Sequence, residues 1–229
     1  MNYLNSEELE MKIGYSFKDK NLFKQALTHS SYTNEQKINK LGDYERIEFL
    51  GDAVLEIVSS EFLFHKYPNV PEGKLTKMRA SMVCESSLAM CARDLDLGKY
   101  IFFGKGEEGC GGRTRESILA DVMEAIIGAI YLDAGFEQAK AHIMKFVLVD
   151  LEDKVLFSDS KSALQEVVQA MEDSILEYVI TGENGPEHCK TFSVDVLING
   201  KVVGSGEGKN KKAAEQSAAY QALLKLKDR

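Results

Sequence analysis

The sequence predicts an all-α domain followed by a small α+β module with the element order α-β-β-β-α. Apolar residues recur at intervals of three and four through most of residues 11–150, as they do on amphipathic helices. Beyond residue 175 apolar and polar residues alternate, as they do on half-buried strands. An Asn-Gly pair between two alternating segments indicates a tight hairpin. These observations place helices first and a short sheet near the end of the chain.

The composition is that of a folded globular protein, with 229 residues of which 44% are hydrophobic and 28% charged. At roughly 150 residues per domain, this length fits one mid-sized domain plus a small module. The longest apolar stretch, around Ala125–Leu132, is far shorter than the roughly 20 residues that span a bilayer. The N-terminal segment is polar and acidic, unlike a secretory signal. We therefore expect a cytoplasmic protein that does not contact a membrane.

The cysteines and the charge distribution narrow the function classes further. The four cysteines show no CxxC spacing and no paired histidines, so neither a zinc site nor a disulfide framework is predicted. The net charge of −8 argues against a polyanionic partner for the chain as a whole. The segment Lys209–Arg229 is different, with six basic and two acidic residues.

The first domain is assigned to residues 1–150, where helical spacing is clear at Phe23, Ala26 and Leu27 and again over Ile118–Ile130. Residues 151–158 have mixed polarity without periodicity and are predicted to be a linker. The second domain is assigned to residues 159–229. Its predicted elements are a helix over Lys161–Glu172, strands over Leu176–Gly182 and Lys190–Ile198, a type I′ turn at Asn199-Gly200, a third strand from Lys201, and a helix over Lys211–Lys227.

Two groups of acids in the first domain predict a metal site. Glu45, Glu48, Asp52 and Glu56 are spaced by three, four and four, which puts them on one face of a helix. Each like-charge pair at i,i+4 costs about 0.2–0.5 kcal/mol, so stability alone does not favour this column. The alternative is a solvated face, or ion pairs with arginines and lysines nearby in the chain. These are Arg46, Lys74, Arg79, Arg113 and Arg115.

The second group is Asp121 and Glu124, which interrupt an otherwise apolar helical segment. A buried charge without a partner is very costly, so these two carboxylates need one. Carboxylate oxygens without histidine or cysteine favour Mg²⁺ or Mn²⁺ over zinc or copper. The two groups together therefore predict a divalent metal site.

Several neighbouring features have two interpretations each. Gly51 either leaves room for a bulky phosphodiester or allows close helix packing. Glu72 is either a further polar group near the site or an acid at a helix N-terminus. Residues 104–115 are glycine-rich and predict a flexible basic loop.

The start of the last helix predicts a phosphate site. Lys209, Lys211 and Lys212 lie at the positive end of the helix dipole, where they are unfavourable unless an anion binds, and Asn210 is a good N-cap residue. A solvated charge run is the alternative. His188 lies in a predicted loop that is either a plain turn or a segment that enters a groove.

Three ordered blocks resemble the ribonuclease III family: residues 45–55 (ERIEFLGDAVL), 72–80 (EGKLTKMRA) and 113–125 (RTRESILADVMEA). The last seventy residues resemble a double-stranded RNA-binding domain. The resemblance implies an all-α endonuclease domain followed by that RNA-binding module, as in bacterial ribonuclease III. It further implies a homodimer that hydrolyses double-stranded RNA with Mg²⁺, with Mn²⁺ as a substitute. The products would carry 5′-phosphate and 3′-hydroxyl ends, from precursors of ribosomal, messenger and transfer RNA.

By motif, the resemblance assigns a role to each candidate residue. The metal ligands are Glu48, Asp52, Asp121 and Glu124, with Asp52 and Glu124 also catalytic and Glu45 and Glu72 auxiliary. The RNA-binding residues are Ser162, Gln165, Glu166, Gln169, His188, Lys209, Lys211 and Lys212. Gly109-Cys110 and Met171-Glu172-Asp173 depart from the family pattern, which points to altered loop contacts and weaker RNA affinity.

Two other function classes compete with an endoribonuclease. The first is a double-stranded RNA-binding protein with an inactive helical domain, which should have lost one of the four acids, whereas all four are present. The second is a hydrolase of small phosphate esters, which leaves the RNA-binding module without a role. Cutting both strands requires two sites, so a C2 homodimer is expected, with Phe49 either at its interface or buried in its own core.

Overall fold

The computed structural model describes residues 6–36, 42–149, 160–171, 174–184, 190–208 and 210–227. The chain divides into two compact units, Met1–Val149 and Asp150–Arg229. The predicted linker, residues 151–158, lies outside the described residues. Within the described ranges, no helix combines the length and the apolar composition that a membrane span requires.

The first unit is helical, as predicted. Its α-helices are α1 (Ser6–Ile13), α2 (Lys20–Ala26), α3 (Ser30–Gln36), α4 (Glu45–Lys66), α5 (Glu72–Met82), α6 (Glu85–Asp94), α7 (Lys105–Gly109), α8 (Glu116–Ala134) and α9 (Phe136–Phe146). Short 3₁₀ turns cover Leu97–Lys99 and Gly112–Thr114.

Helix α8 forms the centre of this unit and packs against α4, α6 and α9. Between Ile118 and Ile130 all its residues are buried except Asp121 and Glu124, which are half-buried. A helix that is apolar on almost every side must lie inside its domain. The two acids therefore mark the place where the surface of α8 becomes accessible.

The crossing of α4 and α8 is built on two glycines. A Cβ atom added to Gly51 would lie 1.9 Å from the backbone oxygen of Glu124, and one added to Gly128 would lie 2.3 Å from the backbone oxygen of Ile47. Real Cβ atoms do not approach backbone oxygens so closely. Gly51 therefore serves close helix packing, and the alternative that it leaves room for a phosphodiester is wrong.

The segment 104–115 is more ordered than predicted, because it contains α7 and a 3₁₀ turn instead of an extended flexible loop. The Arg113 guanidinium donates to Glu108 Oε1 at 2.6 Å and to the backbone oxygen of Gly98 at 2.8 Å. Arg115 forms an ion pair with Glu107 at 2.7 Å. These contacts hold the glycine-rich segment together and attach it to the 3₁₀ turn Leu97–Lys99.

The second unit has the predicted α-β-β-β-α order. It consists of α10 (Ser160–Gln169), β1 (Leu176–Asn184), β2 (Thr191–Ile198), β3 (Lys201–Gly208) and α11 (Lys211–Lys227). The strands form an antiparallel sheet in the order β1-β2-β3. Asn199 and Gly200 have φ values of 51° and 73°, as the predicted type I′ turn requires. Helix α10 is shorter than predicted, because the chain tightens to a Met171 N–H to Val168 C=O bond of 3.0 Å.

The inner face of β3 is made of glycine. Gly204, Gly206 and Gly208 occupy alternate positions along the strand. A Cβ atom added to any of them would lie within 2.5 Å of a backbone atom of α11. Alanines of α11, such as Ala214 and Ala218, are fully buried there. The helix therefore lies directly on the strand backbone, with Val194 and Val196 of β2 completing the core.

Candidate metal centre and nucleic-acid interface

Three acids of the first unit converge on one point. Carboxylate oxygens of Glu48, Asp121 and Glu124 all lie within 4.8 Å of one another, and each side chain is half-buried. Glu48 comes from α4 and the other two from α8. The cluster thus combines the two acid groups that lie more than seventy positions apart in sequence.

The helix crossing explains this convergence. Gly51 touches the backbone of α8 at Glu124, and Glu48 lies one turn before Gly51 on α4. Asp121 lies one turn before Glu124 on α8. Because the two backbones are in contact, side chains one turn along each helix meet at the same edge of the crossing.

The surroundings of the cluster disfavour the ionised form of its three acids. Burial, followed by the charges of Asp121, Glu45 and Asp52, raises the pKa of Glu48 to about 7. Burial also raises the pKa of Glu124 to about 8, with Asp52 and then Glu48 as the next causes. Burial likewise raises the pKa of Asp121.

Basic side chains do not relieve this repulsion. Among the described residues, no ion pair reaches any of the three acids, and Arg79, Arg113 and Arg115 pair with other acids. Arg79 pairs with Glu56, the last acid of the α4 column, at 2.8 Å. The ion-pair alternative therefore applies to Glu56 and not to the cluster.

Tyr44 was not identified from the sequence, although it directly precedes the acidic column. Its ring is buried at the start of α4, and its hydroxyl lies 3.4 Å from Asp121 Oδ2. Burial, followed by the charges of Asp121 and Glu48, raises the pKa of Tyr44. A neutral phenol hydroxyl in this position donates to Asp121 and orients its carboxylate.

A hard divalent cation fits this donor set. Three half-buried carboxylates, with no ion-pair partner in the part of the chain that the structure describes, offer the oxygen ligands that Mg²⁺ and Mn²⁺ prefer. A bound cation would also lower the pKa values of these acids, since a nearby positive charge favours the ionised form of each carboxyl group.

The remaining predicted acids lie around the cluster or away from it. Asp52 is exposed and lies outside the set of three, but its charge acts on both Glu48 and Glu124. Glu45 lines the cavity beside the cluster. Glu72 lines a different groove, between α4 and α5, where its carboxylate accepts from Thr76 Oγ1 at 2.8 Å.

The cavity beside the cluster has a volume of about 510 Å³. Glu48 and Asp121 form part of its wall, and His29, Arg115 and Ser117 form another part. The wall therefore carries acceptors from the cluster and donors from the other three side chains. The sequence alone did not indicate a role for His29 or Ser117.

One face of α4 exposes large apolar side chains. Phe49 is 79% exposed, Ile57 58% and Phe64 68%. Phe49 is therefore not buried in its own core. Ile57 and Phe64 also line the groove between α4 and α5 together with Leu75.

In the second unit the predicted RNA-binding side chains that are described lie on the surface. Ser162, Gln165, Glu166 and Gln169 are all exposed on α10, which buries Leu164 and Val168 instead. Lys211 and Lys212 are exposed at the start of α11, and Asn210 Oδ1 accepts the N–H of Ala213 at 2.8 Å as an N-cap. His188 and Lys209 lie outside the described residues, as do Glu172 and Asp173.

Comparisons with known proteins agree on both units. Residues 19–151 match the model of a Ribonuclease-III-like family, and residues 160–226 match that of a double-stranded RNA binding motif. The chain is 49% identical to Ribonuclease 3 of Listeria welshimeri, covering 97% of this chain and 98% of that protein. It is 50% identical to Ribonuclease 3 of Enterococcus faecalis, covering 96% of each.

A solved structure matches the first unit. The nuclease domain of the ribonuclease III of Campylobacter jejuni superposes with a TM-score of 0.58 at 49% identity, covering 63% of this chain and 94% of that one. A second structure of that nuclease domain, with a TM-score of 0.57, is described as flexible in a region involved in dimer formation.

Proposed function

The chain belongs to the ribonuclease III family of endoribonucleases, and we propose that it hydrolyses double-stranded RNA with Mg²⁺ at the cluster of Glu48, Asp121 and Glu124. The observation that carries this proposal is the convergence of three carboxylates without a basic partner among the described residues. Such a cluster opposes folding and is useful only when a cation binds. The products are 5′-phosphate and 3′-hydroxyl ends.

The residues of the centre have different roles in this proposal. When bound there, Mg²⁺ would supply a polarised water and would stabilise charge on the leaving oxygen. Glu48, Asp121 and Glu124 hold the cation, and Tyr44 fixes the orientation of Asp121 through its hydroxyl. Asp52 is exposed beside Glu124, where it is accessible to solvent and can accept a proton.

The second unit supplies most of the affinity for the duplex in this proposal. The exposed side chains of α10 contact a minor groove, and His188 contacts the next one. Lys209, Lys211 and Lys212 hold the phosphates between the two grooves. Exposed amides and a hydroxyl suit the 2′-hydroxyl and base edges of that groove, whereas the lysines suit the backbone.

A homodimer completes the proposal. The exposed apolar face of α4 and the groove between α4 and α5 form a continuous surface on the first unit. A second copy related by a two-fold axis would cover this surface and would provide one site for each strand. Glu72 lies in this groove and would serve as an auxiliary acid only across such an interface.

The activity is tested with a long uniformly labelled RNA duplex. The protein should cut it with Mg²⁺ or Mn²⁺ and stop when a chelator is added, and 5′-end analysis should find phosphates. Single-stranded RNA and a DNA duplex of the same sequence serve as substrate controls. Cleavage that continues in chelator would contradict the proposed metal centre.

The assembly is tested with a mixed dimer. A purified dimer of one wild-type and one Asp52→Asn chain should nick a duplex in one strand only. Full double-strand cutting or complete inactivity of that species would contradict one site per strand. We further propose cytoplasmic precursors of ribosomal, messenger and transfer RNA as the substrates, on the basis of the family.

A further inference from the structure

His29 lies at the wall of the cavity beside the carboxylate cluster, between α2 and α3. Its ring is half-buried and packs against the rings of Tyr44 and Phe103, with centroid distances of 5.8 and 5.3 Å. Its backbone N–H donates to the backbone oxygen of Phe102 at 3.1 Å. The ring is therefore held in a fixed orientation by contacts on both sides.

Hydrogen bonds at one ring nitrogen determine which nitrogen carries the proton. Nδ1 of His29 accepts the backbone N–H of Ser31 at 3.1 Å and lies 2.8 Å from Ser31 Oγ. The same hydroxyl accepts the N–H of Gly104 at 3.0 Å, which leaves its own proton free to donate to Nδ1. An Nδ1 that accepts two hydrogen bonds leaves the proton of the neutral ring on Nε2.

Nε2–H is thus a neutral donor in a fixed position. It has no hydrogen-bond partner among the described residues. Burial lowers the pKa of His29, which favours the neutral ring. Nothing in the described structure of the free protein uses this donor.

The charges around the cavity indicate what the donor binds. Glu45, Glu48 and Asp121 line the cavity, and its one described cation, Arg115, is already paired with Glu107 at 2.7 Å. A second phosphate next to these acids would be repelled, whereas a neutral hydroxyl would not. A ribose 2′-hydroxyl can accept from Nε2–H and donate to a carboxylate such as Glu45.

We propose that His29 recognises the 2′-hydroxyl of a nucleotide next to the cleaved phosphodiester and so helps the catalytic unit to select RNA over DNA. The inference rests on the proposed function, because the cavity shares Glu48 and Asp121 with the proposed metal centre. A nucleotide whose phosphate lies at the cluster has its ribose in the adjoining space.

The test couples one enzyme atom to one substrate atom. A short RNA hairpin that the wild-type protein cuts at one position is prepared with single 2′-deoxy substitutions at each nucleotide around that position. For the wild-type protein, one substitution should lower kcat/KM by about 3- to 10-fold, as expected for one hydrogen bond. If no single substitution lowers it by more than about twofold while the unmodified hairpin is cut, the proposal is wrong and the proposed function stands.

Three variants then assign the effect to Nε2. His29→Phe keeps the ring packing without a donor, and His29→Asn keeps an acceptor for the Ser31 N–H without reaching as far. Both should cut the unmodified and the 2′-deoxy hairpin at equal rates. The amide of His29→Gln reaches the position of Nε2. This variant should therefore cut the unmodified hairpin faster than the 2′-deoxy hairpin, by part of the wild-type ratio.

A structural role for His29 gives a different result. All variants would then cut more slowly, but each would keep the full wild-type penalty for the 2′-deoxy nucleotide, and this outcome would overturn the proposal. Thermal unfolding of each variant identifies those that fold. If His29→Phe does not fold, His29→Asn alone tests the proposal. Loss of the 2′-deoxy penalty in that variant would support it, and the full penalty would overturn it.

Discussion

Both units of the molecule use glycine to bring two backbones into contact, but with opposite consequences for their polar groups. In the first unit, Gly51 and Gly128 join α4 to α8 and force acids together at the edge of the contact. In the second unit, the alternating glycines of β3 lie beneath α11, and the predicted RNA-binding side chains that are described on α10 and α11 are exposed to solvent.

The difference shows what each activity needs from the fold. A metal centre requires like charges at short distance, which the rest of the domain must hold against repulsion. An RNA-binding surface requires only exposed donors, acceptors and cations in a fixed arrangement. Substitutions in the two units should therefore affect chemistry and binding separately, and the following predictions test that separation.

The largest effect is expected at Glu124. Glu124→Gln keeps the shape of the side chain and removes a charge from the cluster, so cleavage should fall on the order of 10³-fold or more. Duplex affinity should stay within about twofold, because the second unit provides most of it. Single-turnover cleavage and a band-shift titration measure the two quantities.

The matched control for this prediction is Glu56→Gln. Glu56 lies on the same face of α4 but is paired with Arg79, so its loss should leave cleavage nearly unchanged. A loss of affinity in Glu124→Gln equal to its loss of cleavage would mean that the two units do not act separately.

The second largest effect is expected from substitutions at the glycine contacts. Gly51→Ala adds a Cβ that meets the Glu124 backbone oxygen at 1.9 Å, and Gly206→Ala adds one that meets Ala218 N at 2.2 Å. Each should lower the free energy of unfolding of its own unit by about 1–3 kcal/mol or more. Gly73→Ala, which has open space around it, is the control.

Calorimetric unfolding, cleavage rates and duplex affinities together check this prediction. Gly51→Ala should lower one unfolding transition and reduce cleavage, whereas Gly206→Ala should lower another transition and reduce duplex affinity. A single transition that both variants shift equally would contradict the independence of the two glycine contacts.

A smaller effect is expected at the start of α11. The double variant Lys211→Gln with Lys212→Gln should lower duplex affinity by roughly tenfold and reduce the salt slope by about 2, since each lysine neutralises one phosphate. Cleavage at saturating duplex should not change. Lys225→Gln, at the exposed far end of the same helix, should alter neither.

The smallest effect is on stability without metal. The pKa values of about 7 for Glu48 and about 8 for Glu124 lie above their ordinary value of 4.5. At a pH between the ordinary and the raised pKa, the folded protein keeps a proton on each acid that the unfolded chain has released. The free energy of unfolding should therefore fall as the pH rises from about 5 to about 8. Melting curves should show a decrease of a few degrees.

Substitutions at Glu48 in the cluster and at Asp52 beside it test the same pH dependence of stability. Glu48→Gln or Asp52→Asn should raise the melting temperature of the metal-free protein at pH 8 and flatten its pH dependence. The same substitutions should reduce the stabilisation by added Mg²⁺, because lost affinity appears as a smaller shift. An unchanged Mg²⁺ shift in Glu48→Gln would remove Glu48 from the ligand set.

The sequence predicted the second unit closely because each of its signals is local. Alternation defined β2, and the two positive φ values of Asn199-Gly200 follow from residue type alone. The final helix begins and ends where it was predicted, over Lys211–Lys227. The first unit was predicted as helical, but its segment 104–115 was not, because part of what holds it is the contact of Arg113 with Gly98, a residue outside the segment.

The candidate site was only partly predictable for the same reason. The acids could be found because their repulsion is visible in the sequence. The role of Gly51 could not, since its partner Gly128 lies in another helix and gives no local signal. Tyr44 and His29 were missed because a single aromatic residue in an amphipathic segment is usually part of a core.

The contact between Gly51 and Gly128 also separates two kinds of selection within one domain. Any amino-acid substitution at either glycine adds a side chain to a backbone contact, so folding opposes it whether or not the protein cuts RNA. The acids of the cluster oppose folding and are retained only by activity. In a lineage that keeps this domain as a scaffold after losing cleavage, drift should reach Glu48, Asp121 and Glu124 first and leave both glycines unchanged.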